Sequence, residues 1–214
     1  KEKNIEKLLD LKLIQKFFIY SLCNRKKQDI NLMKNLYSQL EEKDIREFAK
    51  TEGCVSIVYS SLEEILGESD VPVFWKKERE KTKKRIELYM ERLDHIAEIL
   101  FKQNISILAL KNTGIARGIH NELSECPMGD IDILVDPDQL ELAHHIMLQN
   151  GYHFDDRSPF KLNQFDKAFE HGGTEYTCTL IDGSTLWVEL QWRSIAGRRI
   201  PIEQEPTFKE LLKN

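Results

Sequence analysis

Gly129-Asp130-Ile131-Asp132-Ile133-Leu134-Val135 decides how this chain is read. Two carboxylates one residue apart in an apolar run fit a β-strand, in which alternate side chains share a face. Asp130 and Asp132 then project together while Ile131 and Ile133 point into a core. Side-by-side carboxylates repel, which disfavours double ionisation unless a cation lies between them. Mg2+ takes hard oxygen ligands, usually one or two carboxylates plus substrate phosphates. The stretch therefore predicts a strand carrying a metal-dependent phosphoryl-transfer site. Its plainer alternative is a strand with one acidic solvent face.

Upstream of this strand the apolar pattern changes period. Ile105 to Leu110 is a short apolar run that reads as a buried strand, followed by the turn-like Lys111-Asn112-Thr113-Gly114 and a short helix. The first hundred residues read as helix instead. Apolar stripes at three-to-four spacing run through Ile14, Phe17, Phe18 and Leu22, through Leu32, Leu36, Tyr37 and Leu40, and through Val58, Leu62, Ile65 and Leu66, with Gly67 as a stop. A long helix follows, with Ile86, Tyr89, Met90, Leu93, Ile96 and Leu100 on one side. Its front end, Lys76 to Arg85, carries seven basic and two acidic residues. That run reads as a solvated helix face rather than a grip on phosphates.

Downstream, Asp136-Pro137-Asp138 opens a helix that ends at Gly151, since proline suits the first turn and acidic groups complement the dipole. Tyr152 to Phe154 is a short strand. Tyr176–Ile181 and Thr185–Trp192 flank Asp182-Gly183-Ser184, a hairpin signal. The fold class is α+β: a helical region over residues 1–103 and a mixed α/β core over residues 104–214.

The 214 residues suffice for one large or two small domains. A net charge of −5 argues against a dedicated nucleic-acid binder, and no apolar stretch has the length that spans a bilayer. Cys23, Cys54, Cys126 and Cys178 lie far apart without a Cys-x-x-Cys pair, so a zinc site is not expected and a reducing, cytoplasmic compartment is.

A third carboxylate stands in the second hairpin strand. In Leu186-Trp187-Val188-Glu189-Leu190-Gln191-Trp192, Glu189 lies among apolar neighbours, where an unpaired carboxylate is costly. If that strand lies beside Ile131–Val135, Glu189 completes a triad with Asp130 and Asp132. Three carboxylates around two ions can clamp the attacking and leaving oxygens of an in-line displacement. Lys111 comes straight off a buried strand and adds a point charge beside a turn whose backbone N–H groups could hold phosphate.

The strand ending in Leu110-Lys111, the small-residue turn, Gly129 to Val135, the helix ending in Gly151-Tyr152 and the later Val188-Glu189-Leu190-x-Trp192 together resemble the uncharacterised bacterial nucleotidyltransferase family, within the DNA polymerase β-like superfamily. The likeness is sharpest over Leu108–Val135 and Trp187–Trp192. It implies a small mixed sheet with flanking helices, two Mg2+ ions, and transfer of a nucleoside monophosphate from an NTP, ATP being the expected one, with release of pyrophosphate. By the same resemblance Asp130, Asp132 and Glu189 are the metal ligands and, with Lys111, the catalytic set. Lys111, Asn112, Thr113 and Gly114 then hold the nucleotide. Three departures stand out. Leu-Lys-Asn replaces the family's Leu-Lys-Gly, no arginine stands in Glu125-Cys126-Pro127-Met128-Gly129, and Gln191 stands where relatives show a histidine.

Other residues read as structural. His144 is expected to pack on an apolar helix face, and Trp75, Trp187 and Trp192 to serve core or rim. Arg193, Arg198 and Arg199 read as a solvated loop, while His171 could approach the site from a neighbouring strand. The leading function is an NTP-dependent transferase acting on a hydroxyl of a small molecule, peptide or protein. The alternatives are a catalytically weak nucleotide-binding or antitoxin-like partner protein, and a transferase acting on RNA ends.

Overall fold

Helical stripes of the N-terminal half close on themselves before any strand appears. The computed structural model describes residues 13–22, 27–119, 122–154, 172–195 and 201–213. Helix α1 covers residues 13–22, α2 Lys27–Ser38, α3 Glu42–Thr51 and α4 Val55–Leu66, and the long α5 runs Val73–Phe101. By contacts the chain divides into two units, Lys1–Lys84 with Glu122–Pro127, and Arg85–Asn121 with Met128–Asn214.

In the first unit Phe17, Phe18, Met33, Leu36, Ile45, Val58, Leu62 and Trp75 form one buried cluster. Two residues of the predicted stripes fall outside it, Leu22 and Leu32 being 50% and 38% exposed. The buried face of α2 is centred one residue on, at Met33. Helix α3 shows no long apolar stripe because charged residues cover most of it, and only Ile45 and Ala49 are buried. Gly67 ends α4 at φ +89°, a conformation that glycine adopts without strain.

The second unit holds the sheet. Its strands are β1 (Ile107–Ala109), β2 (Asp130–Val135), β3 (His153–Phe154), β4 (Gly173–Thr179) and β5 (Thr185–Gln191), in the order β1-β2-β5-β4-β3. Only β2 and β5 are parallel; the other pairs are antiparallel. Between β1 and β2 lies the short helix α6, Lys111–Ile115, and between β2 and β3 lies α7, Leu140–Gln149. The α+β class and the mixed sheet expected from the sequence are what the chain adopts.

Each turn has a local cause. Asp136 caps the 3-10 turn Pro137–Gln139 by accepting the Asp138 N–H at 3.1 Å, and that turn feeds α7. Asp182 accepts the Ser184 N–H at 2.9 Å in the β4–β5 turn, with Gly183 at φ +82°. Three residues of the run 105–110 form strand; the Leu110 N–H makes a last bond to the Asp132 carbonyl, 3.0 Å, and the chain turns at Lys111, φ +51°. One side of the sheet is mostly apolar: Ile131, Ile133, Tyr176, Leu186, Val188 and Leu190 are all fully buried, as are Ile86, Ile96 and Leu100 of α5, and Thr174 is a buried polar residue on the same face. Polar chemistry is left to the other side.

Among the described residues no helix is long and apolar enough to cross a membrane. Cys54, Cys126 and Cys178 are buried thiols outside any disulfide, and Cys23 lies outside the described residues.

Candidate active site

Strand register assembles the site. Asp132 is paired with Glu189 across the parallel β2–β5 ladder, and Asp130 with Trp187. On the other side of β5, Glu189 is paired with Glu175 of β4. Cross-strand partners share a face of the sheet, so Asp130, Asp132, Glu189, Glu175 and Trp187 all stand on the polar face. The sequence condition, that the Glu189 strand lie beside the Asp-x-Asp strand, is met.

Asp132 is held on both backbone sides. Its carbonyl accepts the Leu110 N–H, and its own N–H donates to Thr113 Oγ1 at 3.0 Å. Its side chain is almost wholly enclosed, at 3% residue exposure. The Lys111 ammonium donates to Asp132 Oδ1 at 2.5 Å and to Glu189 Oε2 at 3.1 Å, bridging the two carboxylates. Gln191 Nε2 donates to the same Oδ1 at 3.3 Å, from a position that is itself 2% exposed.

Burial lifts the Asp132 carboxyl to about 6, and its hydrogen bond with Glu189 and the charge of Asp130 add to the lift against the opposing pull of Lys111. Burial also pushes Glu189 up, but hydrogen bonds from Asp132, Lys111 and Gln191 outweigh it and hold Glu189 below the ordinary carboxylate value. The two shifts have opposite sign because the pair titrates together, and the more enclosed Asp132 takes up a proton before Glu189 does. Burial lowers the Lys111 ammonium, yet hydrogen bonds to Asp132 and Glu189 raise it overall, so this lysine stays charged.

Asp130 sits at the mouth of the strand with its side chain exposed. Together with Gly129, Glu175, Trp187, Val188 and Glu189 it lines an open cavity of about 310 Å3. The three predicted carboxylates therefore lie on one face of adjacent strands, with two of them gathered at Lys111 and the third at the cavity rim. Among the described residues, no three His, Cys, Asp or Glu side chains stand close enough to form a metal cage by themselves.

The predicted nucleotide turn has a structural duty. Thr113 is 3% exposed, and its hydroxyl takes the Asp132 N–H. The Gly114 N–H donates to the Leu110 carbonyl at 3.1 Å. A Cβ at Gly114 would stand 2.5 Å from the Ala109 carbonyl oxygen, so glycine is needed for close approach to β1. Lys111 itself has φ +51°, left-handed for a residue with a side chain. Lys111, Asn112 and Gly114 are the exposed members of the turn, and Thr113 is its buried one.

His144 is buried with Nδ1 2.6 Å from the Tyr176 hydroxyl and its ring edge-on to Phe154, the packed histidine expected. Burial holds it below the usual histidine value. Arg193 corrects the sequence reading. Rather than lying in a solvated loop, it is enclosed in an ion pair with Glu205. His171, Arg198 and Arg199 lie outside the described residues. Glu175 was not foreseen. The hairpin signal could have found it, since Glu175 and Glu189 stand at equal distances in sequence on either side of Asp182 and are paired across the hairpin.

A helical region followed by a small mixed sheet, with acidic side chains and a strand-end lysine on one face, defines a nucleotidyltransferase-like core. Residues 38–214 match the model of a family described as uncharacterised nucleotidyltransferase. The chain belongs to that family. No curated protein matches it.

Proposed function

We propose that the protein is a divalent-metal-dependent nucleotidyltransferase, moving a nucleoside monophosphate from an NTP to a hydroxyl of a small molecule, peptide or protein. One observation carries this reading: Asp132 and Glu189, in register on neighbouring parallel strands, already hold a cationic group between them. Their donor oxygens are hard, and two carboxylates face a single ammonium, which leaves negative charge over when both are ionised. That chemistry fits Mg2+. Asp132 and Glu189, with Asp130 at the rim, would hold the metal, two ions being expected. When bound, it would neutralise phosphate charge and lower the pKa of the acceptor hydroxyl.

The protein's own groups supply the rest. Lys111 carries the point charge for the triphosphate, with Asn112 beside it. The acceptor oxygen bonds to the α-phosphorus, the bond to the β-phosphate oxygen breaks, and pyrophosphate leaves with the charge. The hydroxyl proton passes to the carboxylate group. The open cavity beside Asp130 offers room for the acceptor on the same face.

Nucleotide binding without turnover is the second reading. It is favoured by the engagement of Thr113 and Gly114 inside the protein, which leaves fewer groups for phosphate. The RNA-end reading loses ground, because two residues of the basic run, Arg79 and Lys83, lie near Glu122 at 3.7 and 3.6 Å. The test is pyrophosphate release from α-labelled NTPs with Mg2+, compared with Asp130→Ala plus Asp132→Ala. Release by the wild type alone is expected. Equal release from both proteins ends the enzyme reading, and Mg2+-dependent nucleotide binding without release selects the second.

A further inference from the structure

We propose that Lys111 is a latch on the Asp132–Glu189 pair: its ammonium keeps the site closed to divalent cations until the triphosphate draws it away. The inference rests on the metal-dependent reading above and adds how loading is controlled.

Three features carry it. The Lys111 Nζ stands between the two carboxylates, 2.5 Å from Asp132 Oδ1 and 3.1 Å from Glu189 Oε2, so it sits where a cation shared by that pair would sit. It approaches from the open side, with 59% of its side chain exposed against 4% for Asp132. It can therefore swing outward without disturbing packing, while Asp132 is fixed by Thr113 and Leu110. Lys111 opens the short helix α6 with a left-handed backbone, φ +51°, and from there its side chain reaches both carboxylates.

An ammonium and a divalent ion cannot both occupy the space between two carboxylates without strong repulsion. The metal must displace the lysine, and a displaced lysine needs a new anion. The triphosphate is that anion in the reading above. Metal and nucleotide then bind with positive coupling, each raising the affinity of the other by the same factor.

Binding of Mn2+ to the full chain, followed by the loss of its free EPR signal at pH 8, tests the latch. Without nucleotide, Lys111→Met is expected to bind Mn2+ about tenfold more tightly than wild type, within the usual range of coupling between sites. Lys111→Arg, which keeps the charge, is expected to stay close to wild type. With the Mn2+ that α,β-methylene ATP chelates by itself subtracted, the analogue should tighten Mn2+ binding to the wild type by several-fold more than it tightens binding to Lys111→Met. In the wild type, the Lys111 side-chain NMR resonance should shift when Mg2+ and the analogue are added together.

Equal Mn2+ affinity of wild type and Lys111→Met overturns the latch, as does an unmoved Lys111 resonance. If Mn2+ binding survives Asp132→Asn plus Glu189→Gln unchanged, the metal reading itself falls, and the latch with it. Those results are separable, because the first leaves a carboxylate-dependent metal site standing and the last does not.

Discussion

Asp132 concentrates the site's constraints in one side chain, enclosed between the Lys111 ammonium, the Gln191 amide and Glu189. A carboxyl whose value rises from 3.8 unfolded to about 6 folded binds its proton more tightly in the native state. Its contribution is therefore fully favourable below pH 4 and is lost as the pH rises through 6. Asp132→Asn removes that titration. The substitution is expected to abolish transfer while raising stability at pH 8, relative to its effect at pH 4, by about 1–2 kcal/mol. The figure is below the full shift because Glu189 moves the opposite way. Thermal or urea unfolding at the two pH values checks it. A stability difference between mutant and wild type that does not change with pH would contradict the raised value of the Asp132 carboxyl.

At the scale of elements, α6 positions the site more than it binds. Thr113→Val leaves the buried Asp132 N–H without its acceptor, a loss of about 1–3 kcal/mol for an unsatisfied buried donor. Gly114→Ala forces a Cβ against the Ala109 carbonyl, so α6 must lift from β1 and take Thr113 with it. Both variants are expected to lose activity beyond what their lowered unfolding midpoints explain, because Asp132 loses its backbone anchor. Wild-type turnover in either at a temperature where both are folded would show that the anchor is dispensable.

These elements also mark the limit of sequence reading. The Asp-x-Asp strand, the β4–β5 hairpin and the helix stop at Gly67 each rest on local patterning and were legible. The three-to-four stripes located most of the helical core, yet charged α3 escaped because two buried residues, Ile45 and Ala49, make no long stripe. The β2–β5 pairing is long-range, so Glu189 could be proposed only conditionally, whereas Glu175 follows from the local β4–β5 hairpin once its register is counted. Nothing local in Thr113 or Arg193 announces that one anchors Asp132 while the other pairs with Glu205 twelve residues on.

Across the whole molecule, the chain between α6 and β2 does not stay with the sheet. Residues Glu122–Pro127 belong to the helical unit, where Ser124 and Cys126 are buried at 0% and 3% exposure. Ser60 Oγ donates to Glu125 Oε1 at 2.8 Å, and Arg79 and Lys83 approach Glu122. The chain then returns to the sheet unit at Met128, close in sequence to Asp130. A short segment that leaves the sheet unit for the helical one should open locally without global unfolding. Glu125→Ala removes one hydrogen bond, a net loss of about 0.5–1.5 kcal/mol. Amide exchange across residues 122–127 is then expected to speed up roughly twofold to tenfold, while β4 and β5 keep wild-type protection. Uniform acceleration over the sheet as well would mean that the segment opens only with the whole protein, and that the two units share one cooperative transition.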